Sequence, residues 1–129
     1  MNKRTLILAA VLISPAAMAD QTWIPVGETD ESAWDIKNGS LQFGKDKQGE
    51  PSAMVLGRVR SFADRNVSFY RWHISSADCA KQAGKLYVLS MDGEEVGVLD
   101  YVEDGGNMTA AIGEMICASA VKASRSMTE

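Results

Sequence analysis

Apolar and polar residues alternate along several short stretches of this chain, and a period of two is typical of strands with one buried face. The clearest case is Val67 to Ile74 (VSFYRWHI). Three of its four even-numbered residues, Tyr70, Trp72 and Ile74, are large and apolar, and the fourth is Ser68. We therefore expect the even-numbered residues to face the core and the odd-numbered ones to lie on the other face.

Further strand patterns are separated by turn residues. They cover Thr22 to Val26, Trp34 to Lys37, Ser40 to Phe43, Ala53 to Arg60, Lys85 to Met91 and Glu95 to Val102. Pro25 cannot donate a ladder hydrogen bond, so the first of these is expected at the sheet edge. Asn38-Gly39 and Asp92-Gly93 are dipeptides preferred in tight hairpin turns, and each predicts pairing of the strands that flank it.

The period changes near the C-terminus. An apolar stripe at helical spacing predicts an amphipathic helix, formed by Met108, Ile112, Met115, Ile116 and Ser119. Asn107 can cap this helix. The predicted fold class is α+β: a single antiparallel sheet of about six strands, arranged as a meander, with a C-terminal helix tied to the sheet by a disulfide.

The N-terminus has the features of a secretory signal peptide. Lys3 and Arg4 precede an apolar run of about ten residues, and Ala17-Met18-Ala19 is a small-x-small cleavage site. A buried N-terminal helix is the alternative, but the features stand in the order of a signal. We therefore expect a signal peptide over 1–19 and one small domain over 20–129. The domain should be periplasmic or secreted. The short basic segment before the apolar run is typical of bacterial signal peptides.

Two features of this region bear on membranes. The apolar run is shorter than the roughly 20 residues that a membrane-spanning helix needs, so no transmembrane segment is expected. Asp20, and not a cysteine, would follow the cleavage site, so no lipid anchor is expected there.

Cys79 and Cys117 are the only cysteines. In an oxidising compartment a single pair is most simply a disulfide. Gly113, Ala110 and Ala120 share the helical face of Cys117, and small side chains there would let the helix approach the sheet. The spacing fits neither a CxxC redox motif nor a zinc site, so we expect a structural bridge and no metal.

The net charge of the expected mature domain disfavours two classes of partner. Lys3 and Arg4 are the only charged residues of 1–19. Cleavage of the signal peptide would therefore leave a domain with 11 basic and 17 acidic residues and a net charge of −6. Such a domain repels nucleic-acid phosphates and anionic lipid, so neither is expected as a partner. The charge is compatible with a cationic partner, and it is also ordinary for a soluble protein.

Signals for catalysis are weak. The one histidine, His73, stands close to Ser75, Ser76 and Asp78, but no nucleophile-elbow glycines surround either serine. The carboxylates show no paired spacing, and no phosphate-binding loop is present. We therefore expect a protein that is not an enzyme and uses no cofactor.

A candidate contact surface lies on the strand from Val67 to Ile74. Phe69, Arg71 and His73 would share its outer face and could offer an aromatic and cationic surface of the kind enriched at protein interfaces. The alternative is that the aromatic residues are buried in the core, with the aliphatic part of the Arg71 side chain packed over them and its guanidinium in water. Trp23 and Trp34 are expected to be core anchors.

Several residues together resemble one family. They are the Trp-containing first strand Thr22 to Val26, the hairpin expected around Asp35 to Ser40, Asp78-Cys79 and the helical Ile116-Cys117. This pattern over residues 22–121 resembles the surface-adhesin protein E-like family. The resemblance implies a single antiparallel sheet with a C-terminal helix bridged to it through Cys79 and Cys117.

Characterised members of that family are lipid-anchored adhesins that bind host matrix proteins. This chain differs from them in lacking the lipid-modified cysteine. The resemblance implies a non-enzymatic protein-binding function. The alternative is a periplasmic inhibitor or immunity protein that blocks a cell-wall hydrolase or a toxin, which the small size, acidity and disulfide would suit.

Overall fold

The structure is a computed structural model that describes residues 22–128, with the side chains of residues 22–124. The predicted signal peptide and its cleavage site lie outside the described residues. In chain order the elements are β1 (Trp23–Glu28), β2 (Ser32–Lys37), β3 (Gln42–Lys45), β4 (Pro51–Ser61), β5 (Val67–Ser75), α1 (Ser76–Lys81), β6 (Ala83–Leu89), β7 (Glu95–Val102) and α2 (Met108–Thr128).

The strands form one antiparallel sheet in the order β1-β2-β4-β5-β6-β7, with β3 paired to β4 outside this path. The predicted α+β class and meander-like sheet are confirmed. Strand β1, which contains Pro25, is an edge strand as expected. The Asp92-Gly93 hairpin is also confirmed, because β6 and β7 pair on either side of it and the Gly93 N–H donates to the Ser90 carbonyl.

The predicted hairpin around Asn38-Gly39 is wrong. A turn forms there, with the Ser40 N–H donating to the Lys37 carbonyl and Gly39 at φ +77°, but β2 and β3 do not pair with each other. Strand β4 has 11 residues, and β2 pairs only with the part from Gly57 onward. Strand β3 pairs instead with the preceding part of β4, where it satisfies backbone groups that β2 does not reach.

The core lies between the sheet and α2. The alternation predicted for β5 is confirmed: Trp72 and Ile74 are 1% and 0% exposed. They pack with other fully buried side chains from β6, β7 and α2, namely Leu86, Tyr101, Ile112 and Ile116. The sheet therefore has one face covered by the helix.

Helix α2 begins and packs as its sequence predicts. The Asn107 side-chain oxygen accepts a hydrogen bond from the Ala110 N–H at 2.8 Å, which satisfies one of the free donors of the first turn. Gly113 lies against the ring of Tyr101: a Cβ placed on Gly113 would fall within 3.0 Å of three atoms of that ring. The small residues on this side thus allow the close approach to the sheet.

The disulfide between Cys79 and Cys117 is present, with their Cα atoms 5.4 Å apart. Cys79 lies in α1, a short helix that was not predicted. Its sequence signal is Ser75 three residues before Asp78: the Ser75 hydroxyl accepts a hydrogen bond from the Asp78 N–H at 3.1 Å. The Asp78 carboxylate also accepts from the Lys85 N–H, so it joins α1 to β6.

Among the described residues, no helix has the length and apolar character needed to cross a membrane.

Candidate functional site

The sheet face opposite α2 carries the odd-numbered residues of β5 and their cross-strand neighbours. We call it the open face. Its principal residues are Trp23, Asp35, Lys37, Met54, Leu56, Arg58, Arg60, Val67, Phe69, Arg71, His73, Tyr87 and Leu89. Unlike the helix-covered face it mixes charged, aromatic and exposed apolar side chains, so it is the richest surface for recognition.

A buried carboxylate organises the charges at one end of the open face. Asp35 is 2% exposed and pairs across the ladder with Arg58. One oxygen of Asp35 accepts from the Arg58 Nε at 3.0 Å and from the Arg60 Nε at 3.0 Å. The two arginines are attached to β4 two residues apart, so the alternation brings both to the same carboxylate. This arrangement holds the Arg58 guanidinium in one orientation.

That orientation places Arg58 against an aromatic ring. Its guanidinium carbon lies 4.3 Å from the centroid of a Trp23 ring, a cation–π contact. Trp23 also contacts Phe69, with ring centroids 5.9 Å apart. Trp23 therefore lies on the open face and is not the core anchor that the sequence suggested, whereas Trp34 does pack against the core and stacks on Trp72.

The three residues of the predicted contact surface share this face but differ in exposure. Phe69 is 45% exposed and Arg71 is exposed, whereas His73 is only 8% exposed. The alternative assignment, with the aromatic residues in the core, holds for Trp72 and not for Phe69. Along β5 the accessible surface thus ends at Arg71.

His73 is covered by its neighbours. Its ring stacks on Tyr87 of β6 with centroids 5.1 Å apart and 17° between the planes. Burial lowers the pKa of His73, because desolvation disfavours the charged imidazolium more than the negative charges of Asp46 and Glu95 favour it, and Lys47 lowers it further. The ring is therefore neutral near pH 7 and acts as a packing residue in this face.

Two clefts adjoin each other on the open face, and Met54 lines both. The first, of about 250 Å³, has Lys37, Leu56, Arg71 and Met91 among its lining residues. The second, of about 160 Å³, is lined by His73, Tyr87 and Leu89 together with the polar loop after β3. The open face is thus indented between the β3 loop and the tip of the β6–β7 hairpin.

The residues considered for catalysis have structural contacts. The Ser75 hydroxyl caps α1, and the Asp78 carboxylate binds the Lys85 backbone. A Cβ on Gly84 would fall within 2.6 Å of three atoms of Asp78, so the carboxylate is packed tightly against β6. Within the described part of the chain, no group of three or more His, Cys, Asp or Glu side chains is placed to hold a metal ion.

The sequence signal for this site was incomplete. The alternation of β4 places Arg58 and Arg60 on one face, and Asp35 stands on the strand predicted from Trp34 to Lys37. Their pairing depends on β2 lying beside β4 in one particular register, which no local pattern shows. The aromatic and arginine cluster around Trp23 was missed for this reason.

Comparison of the chain with family models, with curated proteins and with solved structures found no match. The resemblance to surface-adhesin protein E-like domains therefore stays a prediction.

Proposed function

We propose that this chain is a non-enzymatic binding protein, exported to the periplasm or secreted, and that it binds a protein partner through the open face of its sheet. The disulfide between Cys79 and Cys117 fits an oxidising compartment. The resemblance to surface-adhesin protein E-like domains supports a binding role on the same kind of scaffold.

The observation that carries the proposal is the exposure of Phe69 beside an ordered arginine and tryptophan. Phe69 contacts Trp23, and Trp23 is covered by the guanidinium of Arg58. Phenylalanine, tryptophan and arginine are enriched at protein interfaces, and tryptophan and arginine are also enriched among the residues that contribute most to the binding energy. Because Asp35 already orients Arg58, less side-chain entropy would be lost when a partner binds there.

The test starts from protein purified from the periplasm of cells that express the full chain. Host matrix proteins and proteins of the periplasmic extract are screened for binding, and the affinity of the identified partner is then measured for two variants. Phe69→Ala should weaken binding about tenfold or more, as truncation of a central aromatic contact typically does.

The matched control is Phe43→Ala. Phe43 is 47% exposed, close to the 45% of Phe69, but it pairs with Ala53 on the opposite face of the sheet. This variant should bind as the unmodified protein does. Equal binding by both variants would contradict the open face as the contact surface.

A second candidate function is supported by the tip of the β6–β7 hairpin. Asp92, Glu94 and Glu95 are all exposed there, next to the exposed Met91. An acidic projection of this kind suits the active-site cleft of a cationic enzyme, such as a cell-wall hydrolase or a toxin. In that case the partner's enzymatic activity should fall on binding, and Glu94→Lys should weaken the complex while Phe69→Ala should not.

A further inference from the structure

The larger cleft of the open face has an unusual charge for an acidic protein. The chain has 17 acidic and 13 basic residues, yet among the described residues that line this cleft none is acidic and two are basic, Lys37 and Arg71. We call it the basic cleft, bounded by Lys37, Met54, Leu56, Arg71 and Met91.

The two cations of the basic cleft differ from the other arginines of the open face. Arg58 and Arg60 are both paired with Asp35. Lys37 and Arg71 are exposed, and neither has an ion pair among the residues that the structure describes. Two cations that line one cleft repel each other and lower the free energy of an anion placed between them.

The rest of the cleft has both polar and apolar lining residues: Asn38, Ser40 and Gln42 are polar, and Met54, Leu56 and Met91 are apolar. Met54 and Leu56 come from β4, and Met91 comes from the β6–β7 hairpin. Methionine side chains are flexible and polarisable, so they adapt to apolar groups of different shape. A group that fits here has an anionic end and an apolar part.

The size of the basic cleft favours a peptide over a small molecule. Its volume is about 250 Å³, below the roughly 300–1,000 Å³ of typical small-molecule pockets. It also continues the surface around Phe69, because Arg71 stands two residues farther along β5 on the same face. A protein segment that covers Phe69 would therefore reach the cleft.

We propose that the basic cleft binds a carboxylate-bearing segment of the protein partner, with the carboxylate between Lys37 and Arg71 and an adjoining apolar side chain against Met54, Leu56 and Met91. This inference rests on the proposed function, since it names the chemistry of the partner at the open face.

The test uses short peptides with blocked ends, in which one Glu is followed by Leu, and identical peptides with Gln in place of Glu. Both are titrated into the isotope-labelled protein and followed by NMR. The Glu peptide should shift the signals of Lys37, Arg71 and the Met54 and Met91 methyl groups, and the Gln peptide should shift them much less. Equal shifts with the two peptides would overturn the proposal.

Variants that remove one positive charge test whether Lys37 and Arg71 bind the carboxylate. Arg71→Gln and Lys37→Gln should each weaken binding of the Glu peptide about two- to fivefold, as expected for exposed ion pairs, and added salt should weaken it further. The control is Lys122→Gln, which removes an exposed cation from α2 and should have no effect. Loss of binding in the control to the same extent would show general charge attraction and would overturn the cleft assignment.

A third titration uses hexanoate, a free acid with an apolar body. Binding of hexanoate more tightly than the Glu peptide would assign the cleft to a small molecule and overturn the peptide proposal. The two proposals also fail separately. If Phe69→Ala weakens partner binding and Arg71→Gln does not, only the cleft assignment is wrong. If Arg71→Gln weakens partner binding and Phe69→Ala does not, only the contact surface around Phe69 is wrong.

Discussion

The ring of Trp72 lies directly over the backbone of Gly57 on the neighbouring strand. A Cβ built on Gly57 would be no farther than 2.5 Å from three atoms of that ring, a separation that real Cβ contacts do not show. Trp72 is 1% exposed and stacks on Trp34, with ring centroids 5.9 Å apart. The absence of a side chain at Gly57 therefore allows the largest core residue to lie flat against the sheet.

Replacement of Gly57 by alanine should destabilise the fold. The added methyl group would push Trp72 out of its position, and overpacking of this kind typically costs about 1–3 kcal/mol. Urea denaturation followed by tryptophan fluorescence measures the free energy of unfolding. The control is Gly44→Ala, because Gly44 also lies in a strand but a Cβ there would meet no atom within 4 Å. Similar free energies for both variants would contradict the packing described.

The disulfide should contribute a large part of the stability. The bridge closes a loop of 38 residues, for which loop-closure entropy gives roughly 4 kcal/mol. A reducing agent should therefore lower the melting temperature of the unmodified protein markedly. The double variant Cys79→Ser with Cys117→Ser should melt at the reduced protein's temperature and should not respond to the reducing agent. An unchanged melting temperature under reduction would show that the bridge does not stabilise the fold.

Asp35 should matter both for stability and for partner binding. Asp35→Asn keeps the shape of the side chain but removes the charge that both arginines pair with, so we expect a loss of about 1–3 kcal/mol in unfolding free energy. Arg58 would also lose its fixed position over Trp23, so affinity for the partner should fall. Both are measured on the same preparation, by urea denaturation and by titration.

The control for Asp35 is the same substitution at an exposed ion pair. Asp100 pairs with Lys85, and their side chains are 80% and 53% exposed. Asp100→Asn should leave the denaturation midpoint nearly unchanged, because solvent screens such a pair. If Asp35→Asn is equally mild, the buried carboxylate does not organise the open face.

The stability of the protein should decrease in mild acid because of His73. Burial lowers its pKa from the ordinary 6.5, so the unfolded chain takes up a proton at a higher pH than the folded one does. The stabilisation that the buried neutral ring of His73 provides is fully present above pH 6.5. It is lost as the pH falls below 6.5 toward the pKa of His73 in the folded state. His73 is the one histidine of the chain. His73→Gln should therefore give a flatter stability profile between pH 7 and 5, and parallel profiles for the two proteins would contradict a buried neutral imidazole.

Local pattern predicted much of this fold. The alternation in β5 identified its buried face, the spacing from Met108 to Ser119 identified α2, and Asn107 was recognised as its cap. These features depend on neighbouring residues in the chain, since a strand repeats every two residues and a helical face about every 3.6. The short helix α1 was missed because six residues are too few to show a helical period.

The candidate site was predicted only in part. Phe69 and Arg71 were recognised as residues of the outer face and are exposed, but the burial of His73 depends on Tyr87, 14 positions later in the chain. In the same way Trp23 was expected to be a core anchor, whereas its contact with Arg58 comes from the pairing of three strands.

The amino-acid pattern was enough to predict most of the strands and the C-terminal helix α2, the buried side of β5, and the two cysteines available to form a bridge. Tertiary structure alone decided that β3 pairs with β4, that Asp35 binds two arginines, and that Lys37 and Arg71 line one cleft. These contacts all depend on the register of the sheet. Residues far apart in the chain meet only when whole strands align, and the alignment is decided by the summed burial of the core and not by any pair of surface side chains.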